Sequence, residues 1–338
     1  MRKVNLFLSA ILLFSLSCGR EFNIHTIETT RLAMDTVVQI SIFYSEPLNP
    51  KAREALEAAF KTIDEIEQLT STYQDSSEVS RVNRLAGKQF QRVSPQLIQV
   101  ITEAQKVSEL SNGAFDITVA PLLRLWNFHS ENHRLPSDTE IAEKQPLVNY
   151  KNILIQGDEI GFQRPGMGLD LGGIAKGYAI DQAIKVLQDY GIKDAMVNAG
   201  GDLRTISSPL TRGKRKVWIR HPRNKGQFFG YFKMDTGSVA TSGDYERFFM
   251  VDSVRYHHIL DPKTGFPAGK CISATIQTDT AIRADALATA VFVLGPEEGM
   301  KLIERLPDVE GVIIYETRDK LEWKVSEGLV KTLKVLTK

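Results

Sequence analysis

The sequence predicts an α+β fold: one domain with antiparallel or mixed sheets and packed helices. Three observations predict it. Short β-rich runs crowd together in the second half of the chain, without the regular strand–helix alternation of a doubly wound sheet. Between them lie segments with apolar residues at three- and four-residue spacing, the period of a half-buried helix. The composition is that of an ordinary globular protein: of 338 residues, 42% are hydrophobic and 25% charged, and 24 Gly and 13 Pro leave no low-complexity excess. No short-period repeat points to a solenoid or propeller. The 42 basic and 41 acidic residues give a net charge of +1, which excludes a polycationic coat for nucleic acid.

The elements follow in order. Residues 36–44 (TVVQISIFY) are β-branched and partly alternating, hence a strand. Residues 51–69 form a helix whose Leu56, Phe60, Ile63, Ile66 and Leu69 share one apolar stripe. Ser94-Pro95 reads as an N-cap and first turn, and Asn112-Gly113 as the stop of that helix. Residues 129–136 are polar and read as a loop. Residues 179–190 form a helix closed by Gly191. Strands are expected at 196–198, 217–220, 229–234, 272–278 and 312–316. Residues 285–294 read as a buried helix stopped by Gly295, and 297–306 as a helix ending before Pro307.

The N-terminus reads as a processing signal. Arg2 and Lys3 precede a mostly apolar run, residues 4–16, too short to cross a bilayer comfortably. The run enters Leu16-Ser17-Cys18-Gly19, which resembles a bacterial lipoprotein cleavage site with Cys18 as the lipid-bearing residue; a plain secretory signal is the alternative. Residues 1–17 are thus a signal peptide, 18–30 a polar tether and 31–335 the domain. With Cys18 acylated, Cys271 has no partner within the chain, so no disulfide framework is expected.

Four polar or glycine-rich clusters could carry chemistry. Asp170-Leu-Gly-Gly-Ile-Ala-Lys-Gly-Tyr178 combines backbone freedom with Lys176 beside a helix start, an arrangement suited to phosphate or simply to a strand–helix turn. It has neither P-loop nor dinucleotide-fingerprint spacing. Asn198-Ala-Gly-Gly-Asp202 reads as a tight turn after an apolar strand. Ser242-Gly-Asp-Tyr-Glu-Arg247 is followed by His257-His258-Ile-Leu-Asp261-Pro-Lys-Thr-Gly265. Adjacent histidines on a strand point opposite ways, so one at most serves a given site, as a proton acceptor or as a structural group. Asp285-Ala-Leu-Ala-Thr289 places a carboxylate and a hydroxyl on one helical face. The pair suits Mg²⁺, or a helix-terminal Asp with a Thr bonded back to its own helix. No Cys/His cluster has zinc spacing.

In this order the clusters resemble the ApbE family of FAD:protein FMN transferases. Met34-Asp-Thr36, Ser71-Thr-Tyr-Gln-Asp-Ser-Ser-Glu-Val-Ser-Arg-Val-Asn83, Gly113-Ala-Phe-Asp-Ile-Thr-Val-Ala-Pro121, Leu125-Trp126 and Ala284 to Thr289 carry the resemblance with the motifs above. Asp35 stands where the family usually has Gly. The resemblance implies a Mg²⁺-dependent reaction in which FAD is cleaved at its pyrophosphate, FMN is joined to a threonine or serine of a partner protein, and AMP leaves. It implies Mg²⁺ ligands from Asp285, Thr289 and the Ala175 carbonyl, and an FAD site lined by Met34, Tyr73, Ala114, Phe115, Asp116, Lys176 and Ile272. It makes His258 the candidate base. It implies an acceptor among the flavoprotein subunits of membrane electron-transfer complexes, and a lipid-anchored place on the periplasmic face of the bacterial inner membrane. Hydrolysis of FAD to FMN and AMP, and non-catalytic FAD binding by a lipoprotein, are the alternatives.

Overall fold

The computed structural model describes residues 23–45, 47–128, 133–209, 211–213, 215–318 and 320–336. The signal peptide and Cys18 lie outside the described residues, as does the first half of the loop read at 129–136. Eight strands form one antiparallel sheet and stand side by side in chain order. They are β1 (His25–Ala33), β2 (Thr36–Tyr44), β3 (Ala195–Ala199), β4 (Asp202–Ile206), β5 (Gly237–Gly243), β6 (Ser273–Thr278), β7 (Glu310–Thr317) and β8 (Lys320–Val325). Everything else is inserted between neighbours of this meander.

Helices cover one face. α1 (Ala52–Thr70), α2 (Pro95–Leu110), α3 (Ala175–Asp189), α4 (Ala281–Leu294) and α5 (Pro296–Arg305) are the long ones among the described residues. α1 packs on α3, α3 on α4, and α4 on β5 and β6. Alternate strand residues such as Ile40, Val197, Ala240 and Ile276 meet Phe60, Ile180, Ile184 and Leu287 in the main core. Each such side chain contributes about 1.5–3 kcal/mol by leaving water. α4 is buried nearly all round, and its alanines 284, 286, 288 and 290 let neighbouring backbones come close.

The other face of the sheet carries a second layer. Three antiparallel strands, Lys216–Arg220, Phe228–Lys233 and Lys334–Val335, press Val217, Ile219, Phe229 and Phe232 onto Val239, Val312 and Ile314. A third cluster gathers Trp126, Ile141, Phe249 and Leu260 beside the hairpin of Phe248–Val251 and Val254–His257. That hairpin leads directly to His258.

The α+β reading holds, and the strands and helices read from the sequence are present, with shifted ends. Three differences bear on the site. The tether gives way to strand from His25, because β1 pairs with β2 residue by residue as far as Ala33–Thr36. α3 begins at Ala175, so Lys176 and Gly177 belong to its first turn. α4 begins at Ala281, so Asp285 lies inside the helix rather than at its start. No helix among the described residues is long and apolar enough to cross a membrane.

Candidate active site

The site forms where α3 crosses α4. A Cβ on Gly177 would fall 2.2 Å from the Ala281 carbonyl oxygen. Only glycine permits this approach, which outweighs its poor helix propensity. The same closeness lets the Gly177 N–H donate to Asp285 Oδ2 at 3.0 Å. The start of α4 is capped from α3: Thr280 makes no side-chain cap. Instead, Asp181 accepts from the Ala281 and Ile282 N–H groups, each at 2.9 Å. Burial raises the Asp181 carboxyl, while Arg204 and the two N–H groups pull it back. The Arg204 guanidinium stands 2.5 Å away. Two orphan helix donors and a buried carboxylate thus satisfy one another.

Lys176 sits between two buried carboxylates. Its Nζ lies 2.6 Å from Asp202 Oδ2 and 3.4 Å from Asp285 Oδ1. Burial alone would lower the ammonium's pKa, but the two carboxylates overcome that and hold it above the ordinary lysine value. Burial pushes Asp285 above the usual carboxylate range; the Asp202 charge adds to that, and Lys176 and the Gly177 N–H oppose it. Asp202 is fixed by the Thr241 N–H, 3.1 Å from Oδ1.

One helical turn on, Thr289 Oγ1 lies 3.2 Å from Ser242 Oγ on β5. A Cβ on Gly173 would stand 3.0 Å from Thr289 Oγ1 and 3.1 Å from the Phe115 ring. The missing side chain keeps that hydroxyl open toward the loop. Asp285, Thr289 and Ser242 offer hard oxygens, and Ala175 begins the helix that faces them. The donor set fits Mg²⁺. Among the described residues no three His, Cys, Asp or Glu converge as a metal site.

The two histidines part company as alternation requires. His257 is structural: Nδ1 accepts the Ile259 N–H at 3.3 Å, so Nε2 carries the proton given to the Ala268 carbonyl at 2.9 Å. Its ring meets Phe292 edge-on. His258 is half-buried, with Nδ1 3.2 Å from the Arg247 carbonyl. That contact places the proton on Nδ1 and leaves the Nε2 lone pair available. Burial first, then the nearby Arg247 and Lys176 cations, push the imidazole down to about 3, so it is neutral at ordinary pH.

Met34 and Asp35 close the β1–β2 hairpin with φ of 52° and 56°. Asp35 therefore adopts the left-handed conformation glycine would favour, and reaches Arg247 at 3.7 Å. The Met34 N–H is held by Glu67 Oε2 at 2.7 Å. Tyr73 is 60% exposed. Its phenol is pushed up to about 12 by burial of the hydroxyl and by Asp170, and it also feels Arg247 and Asp35. Met34, Asp35, Tyr73, Asp170 and Arg247 thus belong to one rim.

The remaining expected residues are placed as follows. Ala114 and Phe115 are buried, with Phe115 against Gly173. Asp116 is buried with both oxygens engaged: Oδ1 takes the Thr118 N–H and hydroxyl at 2.8 and 2.6 Å, and Oδ2 takes the Tyr150 N–H at 2.8 Å. Burial raises its carboxyl against those three donors. Its carboxylate organises the 115–118 turn. Ile272 is buried, its N–H given to Ile314 and its carbonyl taken by Asp244.

Sequence reasoning left Asp181, Asp202, Ser242 and Arg247 without roles. Asp202, Ser242 and Arg247 lie inside motifs already singled out. Asp181 has no local signal, because the amides it caps lie 100 and 101 residues away.

Known proteins resemble this chain over most of its length. The ApbE family profile matches residues 34–313. The FAD:protein FMN transferase of Treponema pallidum is 31% identical over 95% of this chain and 92% of its own length. That of Vibrio cholerae is 33% identical over 72% of this chain and 74% of its own. The crystal structure of the ApbE protein from Thermotoga maritima superposes with a TM-score of 0.83 at 35% identity, covering 91% of this chain and 99% of that one.

Proposed function

The chain belongs to the ApbE family, and on that premise we propose that it transfers FMN from FAD to a threonine or serine hydroxyl of a partner protein, with Mg²⁺, releasing AMP. The observation that carries this reading is the convergence on one point of Lys176, Asp285, Thr289 and the open face of Gly173. A site for binding alone has no need of a neutral imidazole near the half-buried Lys176 ammonium.

In this reading the acceptor hydroxyl oxygen bonds to the FMN phosphorus, and the phosphorus–oxygen bond to the AMP phosphate breaks. AMP departs with the bonding pair, and the hydroxyl proton goes to His258 Nε2. Threonine is a weak nucleophile at neutral pH, so an adjacent base is required. The Lys176 ammonium faces the anionic pyrophosphate, oriented by Asp202. The Gly172–Gly173 backbone lets phosphate oxygens approach, and the exposed Tyr73 ring offers a stacking face for flavin or adenine. A Mg²⁺ ion held by Asp285, Thr289 and the Ala175 carbonyl would neutralise charge on the pyrophosphate oxygens. An acceptor in a membrane electron-transfer complex, and a lipid anchor at Cys18 on the periplasmic face, complete the proposal; the apolar run at 4–16 supports them.

The test incubates the protein with FAD, Mg²⁺ and a threonine-bearing acceptor domain. AMP, free FMN and the intact mass of the acceptor are followed. AMP with an FMN-sized gain on the acceptor supports transfer. AMP with free FMN alone, in the presence of an acceptor modified by another family member, points to hydrolysis. Bound but intact FAD overturns the reaction.

A further inference from the structure

The small three-stranded sheet buries one face on the main sheet and turns the other outward. Trp218, Phe228 and Tyr231 stand together on that outward face, with ring centroids 4.9 Å apart for Trp218–Phe228 and 4.7 Å for Trp218–Tyr231. Trp218 and Phe228 are 44% and 45% exposed. Lys216 Nζ lies over the Tyr231 ring at 4.6 Å. The register pairs Lys216 with Lys233 and Lys334 with Tyr231, so these three lysines share the aromatic face. Leu336, two residues beyond Lys334, is 54% exposed. Arg220 is already paired with Glu246. No carboxylate lies at an outward position of the three strands.

Two observations say what such a face meets. Aromatic rings ringed by lysines suit the boundary between lipid headgroups and acyl chains, where rings sit at headgroup level and ammonium groups meet anionic lipid. The second is where the chain enters the fold. β1 starts at His25, paired with Tyr44 and stacked on it at 5.4 Å. The next pair, Thr26–Phe43, brings the Phe43 ring under the Arg215 guanidinium at 4.5 Å. Arg215 immediately precedes Lys216. The described chain therefore begins, at residue 23, beside the aromatic sheet, and the apolar run 4–16 precedes it in sequence.

We propose that the outward face of the three-stranded sheet docks on an anionic phospholipid surface and fixes the orientation of the domain at the membrane. A lysine close to such a surface is worth roughly fivefold in partition. Reversing Lys216 and Lys233 to glutamate should therefore lower the docked-to-undocked ratio at least about 25-fold.

The test uses the full chain in vesicles of phosphatidylcholine, alone or with about a third phosphatidylglycerol. Brominated lipids quench tryptophan that reaches the interface. Quenching in anionic vesicles is expected to be stronger for wild type than for Trp218→Phe, and to weaken in neutral vesicles and at high salt. Lys216→Glu/Lys233→Glu should bring it to the Trp218→Phe level while leaving FMN transfer to a soluble acceptor unchanged. Equal quenching in wild type and Trp218→Phe overturns the proposal and leaves the face to a protein partner. Insensitivity to lipid charge and to the lysine reversals overturns it as well.

Discussion

Gly177→Ala separates the packing of α3 against α4 from the chemistry between them. The added Cβ would meet the Ala281 carbonyl oxygen at 2.2 Å and Ile282 Cα at 2.7 Å, both backbone. Ordinary contact begins near 3.4 Å, so the helices must part by about 1 Å. Alanine gains about 1 kcal/mol of helix propensity over glycine, against about 1–3 kcal/mol for overpacking. The net stability loss should be no more than about 2 kcal/mol. Activity should fall much further. The Gly177 N–H holds Asp285 at 3.0 Å, and Asp285 shares Lys176 with Asp202. A displacement near 1 Å among groups that place the reacting atoms costs on the order of 100-fold in rate. Urea unfolding gives the stability, and AMP release with acceptor mass gain gives the rate across a Mg²⁺ titration. A variant with the wild-type rate and Mg²⁺ response would refute the idea that this close helix contact sets the site.

Four further outcomes are expected. Lys176→Met leaves the Asp202 and Asp285 carboxylates without their cation. It should lose about 3 kcal/mol without Mg²⁺, and a melting scan should show partial recovery on adding Mg²⁺ beyond that of wild type. Asp181→Asn removes the charge that caps α4 and pairs Arg204; at about 1–3 kcal/mol, hydrogen exchange should show the Ala281 and Ile282 amides losing protection first. Asp35→Gly relieves a left-handed non-glycine residue and forfeits an exposed ion pair worth under about 1 kcal/mol; the denaturation midpoint should rise slightly or stay level. His258 is depressed to about 3 in the folded protein from the ordinary imidazole value of 6.5, so the unfolded chain binds its proton first as pH falls. The stability it contributes is complete above pH 6.5 and is lost as pH falls toward 3; His258→Ala should flatten that acid limb in a pH series of unfolding curves, while AMP release drops across the whole range.

The sequence made the long helices and the apolar strands β2, β3, β6 and β7 legible, because their apolar residues follow one period or run together. Residues 51–69 carry a stripe, and Ala52–Thr70 is the helix that buries it. What escaped was structure set by distant partners. β5 reads GSVATSG, small and polar, yet six of its seven residues pair with β6 and three with β4 in the middle of the sheet. Nothing local marks it as strand; β4 and β6 do. β1 is polar along most of its length because it is a largely exposed edge strand, and so residues 25–30 read as tether. The first turn of α3 read as loop because it contains Gly177, whose cost as a helix residue is met by contact with a segment 104 residues on.

The same distance dependence explains why the Asp285–Thr289 pair is ambiguous as a motif and has defined partners in the fold. On an isolated helix, a carboxylate and a hydroxyl four residues apart have a simpler fate, with Thr bonding back to its own helix. Here the hydroxyl instead meets Ser242 at 3.2 Å, and a glycine stands opposite it. The carboxylate is not spent on the helix N-terminus either, because Asp181 already occupies that role from α3. Freed from capping, Asp285 is left buried with a lysine and one N–H. A carboxylate so placed is short of positive charge in proportion to its burial, and either a metal ion or the neighbouring lysine must make up the difference. Removing the cap while keeping the pair, as Asp181→Asn does, should therefore weaken the response to Mg²⁺ through a residue that touches neither metal nor substrate.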